Sequence, residues 1–76
     1  MDKERQREMK VRFGARMRAL RNAKDLSQED VALIANLDRS YLGRIERGRA
    51  NVSLINIHRI AEALEVEAGE LFGGPA

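Results

Sequence analysis

The sequence has no cysteine and a single histidine, His58. No disulfide can form, and one imidazole cannot supply the ligand set of a structural zinc site. Proline occurs once, at Pro75, tryptophan not at all, and the aromatics are one tyrosine and two phenylalanines. With few β-branched runs as well, this poverty argues against a sheet. No apolar stretch approaches the ~18 residues of a membrane span. The opening MDKERQREMKVR is charged throughout, unlike a signal peptide. A protein of a reducing compartment, the cytoplasm, is therefore expected. An enzyme is not expected, nor any metal or other cofactor, because no carboxylate pair or metal-ligand cluster is visible. Gly43 to Gly48 has a P-loop-like spacing, but Arg49 and Ala50 follow where Lys-Ser/Thr would stand, and the stretch reads as helical.

What the sequence does contain fits one small domain spanning residues 1–76. With 76 residues, 43% of them hydrophobic, there is room for one core. A chain of this size buries only about 60% of its unfolded surface. With disulfides and metals excluded, self-association is the remaining staple. The net charge of +2 hides a blocked arrangement: basic over 1–24, acidic over 25–38, basic over 39–59 and acidic over 60–76. Such blocks can build a basic and an acidic face on one object.

The apolar periodicity is helical everywhere, which makes the fold all-α with five segments. The first runs from about Lys10 to Lys24, with Phe13, Met17 and Leu20 on one face. Residues 1–8 lack an apolar stripe and are expected to be a frayed, charged extension. The segment stops near Asp25, a tolerable residue at a left-handed helix end. Ser27 followed by Asp30 is a capping-box variant opening the second segment, whose expected buried side is Val31, Ala32, Ile34 and Ala35. Asn36 sits where the chain must turn sharply. Asp38 is a plausible N-cap for the third segment, Arg39 to Arg47, with Leu42 and Ile45 inward and Gly48 ending it. Ser53 caps a fourth, amphipathic through Leu54, Ile57, Ile60, Ala61 and Leu64. A short fifth, about Glu67 to Phe72, closes the domain, and 73–76 are expected to be a flexible end.

Segments two and three, joined by roughly three residues, meet the requirements of a helix-turn-helix. Ala32 is small where the helices cross, Asn36 takes the turn, and Leu37 plugs the junction. Val31, Leu42 and Ile45 anchor both helices. The run LSQEDVALIANLDRSYLGRIERG resembles the lambda-repressor-like (Xre-type) helix-turn-helix family. FGARMRALRNAKDLSQ is similar to that family's first helix and NVSLINIHRIAEALEVEAGELF to its fourth and fifth, so the likeness covers roughly residues 11–72. LDRSYLGRIERG followed by Asn-Val-Ser-Leu is most similar to the controller proteins of restriction–modification systems. Three positions depart from the pattern: Asn36 replaces the usual turn glycine, Ala50 stands where an arginine is common, and Arg44 is larger than usual. They bear on the operator rather than the fold.

The resemblance implies a compact five-helix domain that regulates transcription by binding double-stranded DNA in the major groove. A reading helix presents its outward residues to base edges, which makes Arg39, Ser40, Gly43 and Arg44 the expected base readers. Gln28 resembles the family's phosphate-gripping glutamine. Tyr41, Arg47, Arg49, Asn51 and Ser53 are further candidates for backbone contacts. The resemblance also implies a salt bridge between Arg21 and Glu46. It further implies a homodimer through the fourth and fifth helices, with Ile55, Val66, Leu71 and Phe72 at the interface. RNA polymerase is the further partner a promoter-bound regulator would block or recruit. No small-molecule ligand is evident, and His58 reads as an ordinary helix residue. The alternatives are a phage-type repressor or an antitoxin-like regulator. A different class, a protein-interaction module that has lost DNA binding, would place acidic or apolar residues where Arg39 and Arg44 stand.

Overall fold

The structure, a computed structural model, describes residues 1–74; Pro75 and Ala76 of the expected flexible end lie outside the described residues. Helices α1 (Lys3–Ala23), α2 (Gln28–Ala35), α3 (Arg39–Glu46) and α4 (Leu54–Leu64) are followed by a closing 3-10 helix, Ala68–Phe72. The fold is all-helical, but its last element is a 3-10 helix rather than a fifth α-helix. α1 packs on α3 and on the closing helix, while α2 packs on α3 and α4. Met17, Val31, Leu42, Ile45, Ile60, Leu64 and Leu71 are the largest fully buried side chains of the single core.

Helix α1 corrects the expected start at Lys10. Asp2 caps it, its carboxylate accepting from the Arg5 N–H at 2.8 Å, and the Gln6 amide donates to the Met1 carbonyl at 3.0 Å. Residues 3–9 have no apolar stripe because they project past the core. Lys, Glu, Arg and Gln are nevertheless good helix formers, and extending an existing helix avoids the cost of nucleation.

All five helices end the same way, with a left-handed residue that lets two backbone N–H groups reach back to orphan carbonyls. Asp25, Asn36, Gly48, Glu65 and Gly73 hold the left-handed position, at φ of 57°, 58°, 74°, 56° and 85°. The following residue donates five positions back in each case, as Leu37 does to Ala32 at 2.9 Å and Arg49 to Arg44 at 2.9 Å. After Asp25, Asn36 and Glu65 come Leu26, Leu37 and Val66, each packed against the core. That hydrophobic contact offsets the steric cost of a non-glycine residue in this conformation.

Two glycines lock α1 onto the end of α3. A Cβ on Gly14 would collide with the carbonyl oxygens of Ile45 and Glu46. At Gly48 a Cβ would lie 2.7–2.8 Å from Val11, on a backbone already at positive φ. Three apolar expectations are corrected. Ile34 and Leu54 are 60% and 69% exposed, whereas Leu71 is fully buried.

Candidate nucleic-acid interface

Ser27 and Asp30 form the expected reciprocal cap at the start of α2. The Ser27 hydroxyl accepts from the Asp30 N–H at 3.0 Å, and the Asp30 carboxylate accepts from the Ser27 N–H at 2.8 Å. That backbone bond first, then the Ser27 side chain, lowers the Asp30 pKa below 3.8. Asp38 does stand at the N-cap of α3, but its carboxylate makes no capping bond. The turn between α2 and α3 is held by Asn36 in the left-handed conformation.

On α3, Leu42 and Ile45 point into the core while Arg39, Ser40 and Arg44 are exposed, as are Arg47 and Arg49 beyond them. A hydrogen-bonded chain runs beneath this surface. Arg21 forks onto Glu46, its Nε to Oε2 at 2.7 Å and its Nη2 to Oε1 at 2.9 Å, and its Nη1 donates to the Leu26 carbonyl at 2.8 Å. The Glu46 hydrogen bond outweighs desolvation and raises the Arg21 pKa, keeping the guanidinium charged. Gln28 donates its Nε2 to Glu46 at 3.1 Å and accepts at its Oε1 from Arg39 Nη1 at 3.2 Å. The pair expected between Arg21 and Glu46 is therefore present, and Gln28 connects it to Arg39.

Gly43 is corrected from an outward residue to a buried one. A Cβ there would lie 3.2 Å from Arg47 Nη1 and 3.5 Å from Gln28 Oε1, because both side chains fold across the helix at this point. The glycine forms the floor beneath two functional groups. On the neighbouring face, the Arg44 guanidinium stacks over the Tyr41 ring with its carbon 5.4 Å from the centroid. The Tyr41 hydroxyl accepts from Asn56 at 3.3 Å. Tyr41, Arg44 and Asn56 share with Leu33, Asn36 and Leu37 a cleft of about 510 Å³. Sequence reasoning missed Asn56, and it missed Arg16, whose Nε donates to the Glu70 carbonyl at 2.7 Å and pins the closing helix. Nothing in their spacing identified either.

Asn51 and Ser53 lie on the exposed α3–α4 connection, with the Ser53 hydroxyl accepting from the Asn56 N–H at 3.1 Å to cap α4. Of the residues expected at a dimer interface, Ile55 and Phe72 are 63% and 60% exposed, and Val66 is half-buried. Phe72 tilts over Phe13 with ring centroids 5.3 Å apart. Leu71 is withdrawn from that set because it has no surface to offer a partner.

A family profile described as helix-turn-helix matches residues 17–71. Control protein C.MunI of Mycoplasma sp is 46% identical over 66 residues, covering 86% of this chain and 89% of its own length. Control protein C.BamHI of Bacillus amyloliquefaciens is 42% identical over 64 residues, covering 83% of this chain and 79% of its own. Among solved structures, the restriction-modification controller protein C.AhdI from Aeromonas hydrophila superposes with a TM-score of 0.82 at 57% identity, covering 83% of this chain and 96% of that one. The chain belongs to the helix-turn-helix (Xre-type) family of DNA-binding transcription regulators, and its similarity runs to the restriction–modification control proteins. No helix among the described residues is long and apolar enough to cross a membrane.

Proposed function

We propose that this chain is the controller of a restriction–modification system, a cytoplasmic homodimer that binds a pseudo-palindromic operator. Helices α2 and α3 form its helix-turn-helix, and α3 lies in the major groove. The carrying observation is the Arg21–Glu46–Gln28–Arg39 chain, which orients an exposed arginine at the N-terminal turn of α3. A guanidinium held there can make a bidentate contact to guanine O6 and N7, worth ~1–3 kcal/mol of discrimination. Ser40 and Arg44 flank it. Gln28, whose second Nε2 hydrogen remains for a phosphate, joins Tyr41, Arg47, Arg49, Asn51 and Ser53 as the backbone-contacting set. Ile55, Phe72 and the edge of Val66 supply the dimer contact. Half-sites would then lie about 34 Å apart, one helical turn of DNA. Bound beside a promoter, the dimer blocks or recruits RNA polymerase.

Gel-shift titrations on a duplex selected from a random pool test this reading. Arg39→Ala is expected to lose base preference. Arg47→Ala is expected to weaken binding to all sequences alike, with a salt slope shallower by about 0.9. Wild-type affinity and preference in both variants would show that α3 is not the reading element.

A further inference from the structure

Helix α1 begins at Lys3, well upstream of residue 17, where the match to the family profile starts. At 100° per residue, Lys3, Arg7, Lys10, Gly14, Met17 and Arg21 fall within about 40° of one line along the helix. The downstream part of this stripe is the face that docks on α3, with Gly14 beneath the Ile45 and Glu46 carbonyls and Arg21 on the Glu46 carboxylate. The upstream part continues past the end of α3. There Lys3, Gln6, Arg7 and Lys10 line a cleft of about 310 Å³ together with Gly48, the residue between Arg47 and Arg49. No acid lines this cleft. Glu4 and Glu8 lie about 100–140° away round the helix.

We propose that Lys3, Arg7 and Lys10 form a second phosphate-binding strip, which holds the DNA backbone flanking the half-site read by α3. The inference rests on the DNA-reading assignment of α3 and adds a separate surface to it. Three observations favour a polyanion as the occupant. The three side chains are cationic and converge on one cleft. The strip also reaches Gly48, which stands in sequence between the exposed Arg47 and Arg49 just after α3. Its length also matches: the seven-residue step from Lys3 to Lys10 covers ~10 Å at 1.5 Å per residue, the axial rise of about three nucleotides of one strand at 3.4 Å each. Flexible cations lying along a backbone contribute affinity without reading bases.

The experiment compares wild type with the triple variant Lys3→Gln, Arg7→Gln, Lys10→Gln, which keeps good helix formers at each position. The probe is a duplex selected from a random pool, with flanks of ~10 base pairs on each side or trimmed to the selected site. The expected result is a salt slope shallower by about 2–3 per bound protomer in the variant, with base preference unchanged. Trimming the flanks is expected to weaken wild type and leave the variant unaffected. Equal slopes and equal flank sensitivity in the two proteins would overturn the proposal. So would a lower melting temperature with an unaltered slope, which would mean that the cations only balance the carbonyl end of α3. Loss of dimer with an unaltered slope would instead assign the strip to the acidic 60–76 block of a second copy, and would overturn it too. Arg39→Ala in the same titration separates the two assignments. If that variant kept its base preference while the triple variant lost slope, α3 would not be the reader and the strip would stand.

Discussion

Glu46 can only accept hydrogen bonds, and that restriction propagates outward residue by residue. Its carboxylate takes two guanidinium N–H groups from Arg21 and one amide N–H from Gln28. The Gln28 amide therefore has one workable orientation, with its nitrogen toward Glu46 and its oxygen toward Arg39. An exposed arginine ordinarily samples many rotamers, and holding one of its nitrogens removes part of the entropy that binding would otherwise cost. Gln28→Met retains the side-chain length and removes both hydrogen-bonding roles. It is expected to reduce preference at the base that Arg39 is proposed to read about tenfold, the equivalent of one hydrogen bond of ~1–1.5 kcal/mol. The double variant with Arg39→Ala is expected to be no worse than Arg39→Ala alone, as measured by competition gel shifts in a double-mutant cycle. Additive losses would mean that Gln28 grips a phosphate independently of Arg39. The Arg21–Glu46 pair was legible in the sequence only through resemblance, because a contact between α1 and α3 depends on tertiary packing. Gly43 was misread for a related reason. Helical spacing placed it on the outward face, and side chains from Gln28 and Arg47 then covered it.

Helix ends were the most legible elements, since they are local. Ser27 and Ser53 as caps, and Asp25, Asn36 and Gly48 as left-handed terminators, follow from residue chemistry within a few positions. Glu65 was not legible, because glutamate has no preference for that conformation. What holds it there is Val66 packing on the core while its N–H reaches Ala61 at 3.0 Å. The start of α1 was missed because an apolar stripe marks where a helix is buried, not where it begins. The cap of α2 carries a pH signature. Asp30 has its pKa lowered in the folded protein, so the unfolded chain binds its proton more readily. The stabilisation is therefore present above the unfolded pKa and is lost as pH falls through the lower folded one. Urea melts across pH are expected to show Asp30→Asn less stable than wild type near neutrality. The difference should shrink below the ordinary aspartate value of 3.8, where the wild-type side chain also becomes neutral. A gap that stays constant down the acid range would rule out this origin. Ser27→Ala, which removes the reciprocal acceptor, is expected to cost about 1 kcal/mol.

At the scale of the whole molecule, the arginines of α3 and the glutamates of the last elements occupy different parts of the fold. Arg39, Arg44, Arg47 and Arg49 are exposed on α3 and just beyond it, and the strip on α1 meets Gly48 between the last two. Glu62, Glu65, Glu67 and Glu70 belong to α4 and the elements after it, where Ile55 and Phe72 also stand exposed. A small domain with one core has little stability to spare, and burying these two side chains against a second copy adds apolar area without adding chain. In the proposed dimer, two copies would also double the number of phosphates engaged and match a two-fold operator. Ile55→Glu tests this cleanly. The position is 63% exposed, and surface substitutions of this kind stay within about ±0.5 kcal/mol when no contact is lost. Placed at a two-fold interface, the same change brings two new carboxylates together in a desolvated patch. Sedimentation velocity is expected to show the variant monomeric at concentrations where wild type is dimeric, and its DNA titration is expected to shift to higher protein concentration. The melting temperature of wild type should rise with concentration, while that of the variant should not. An Ile55→Glu protein that remained dimeric would place the two-fold axis elsewhere, and Phe72→Glu would then be the position to measure.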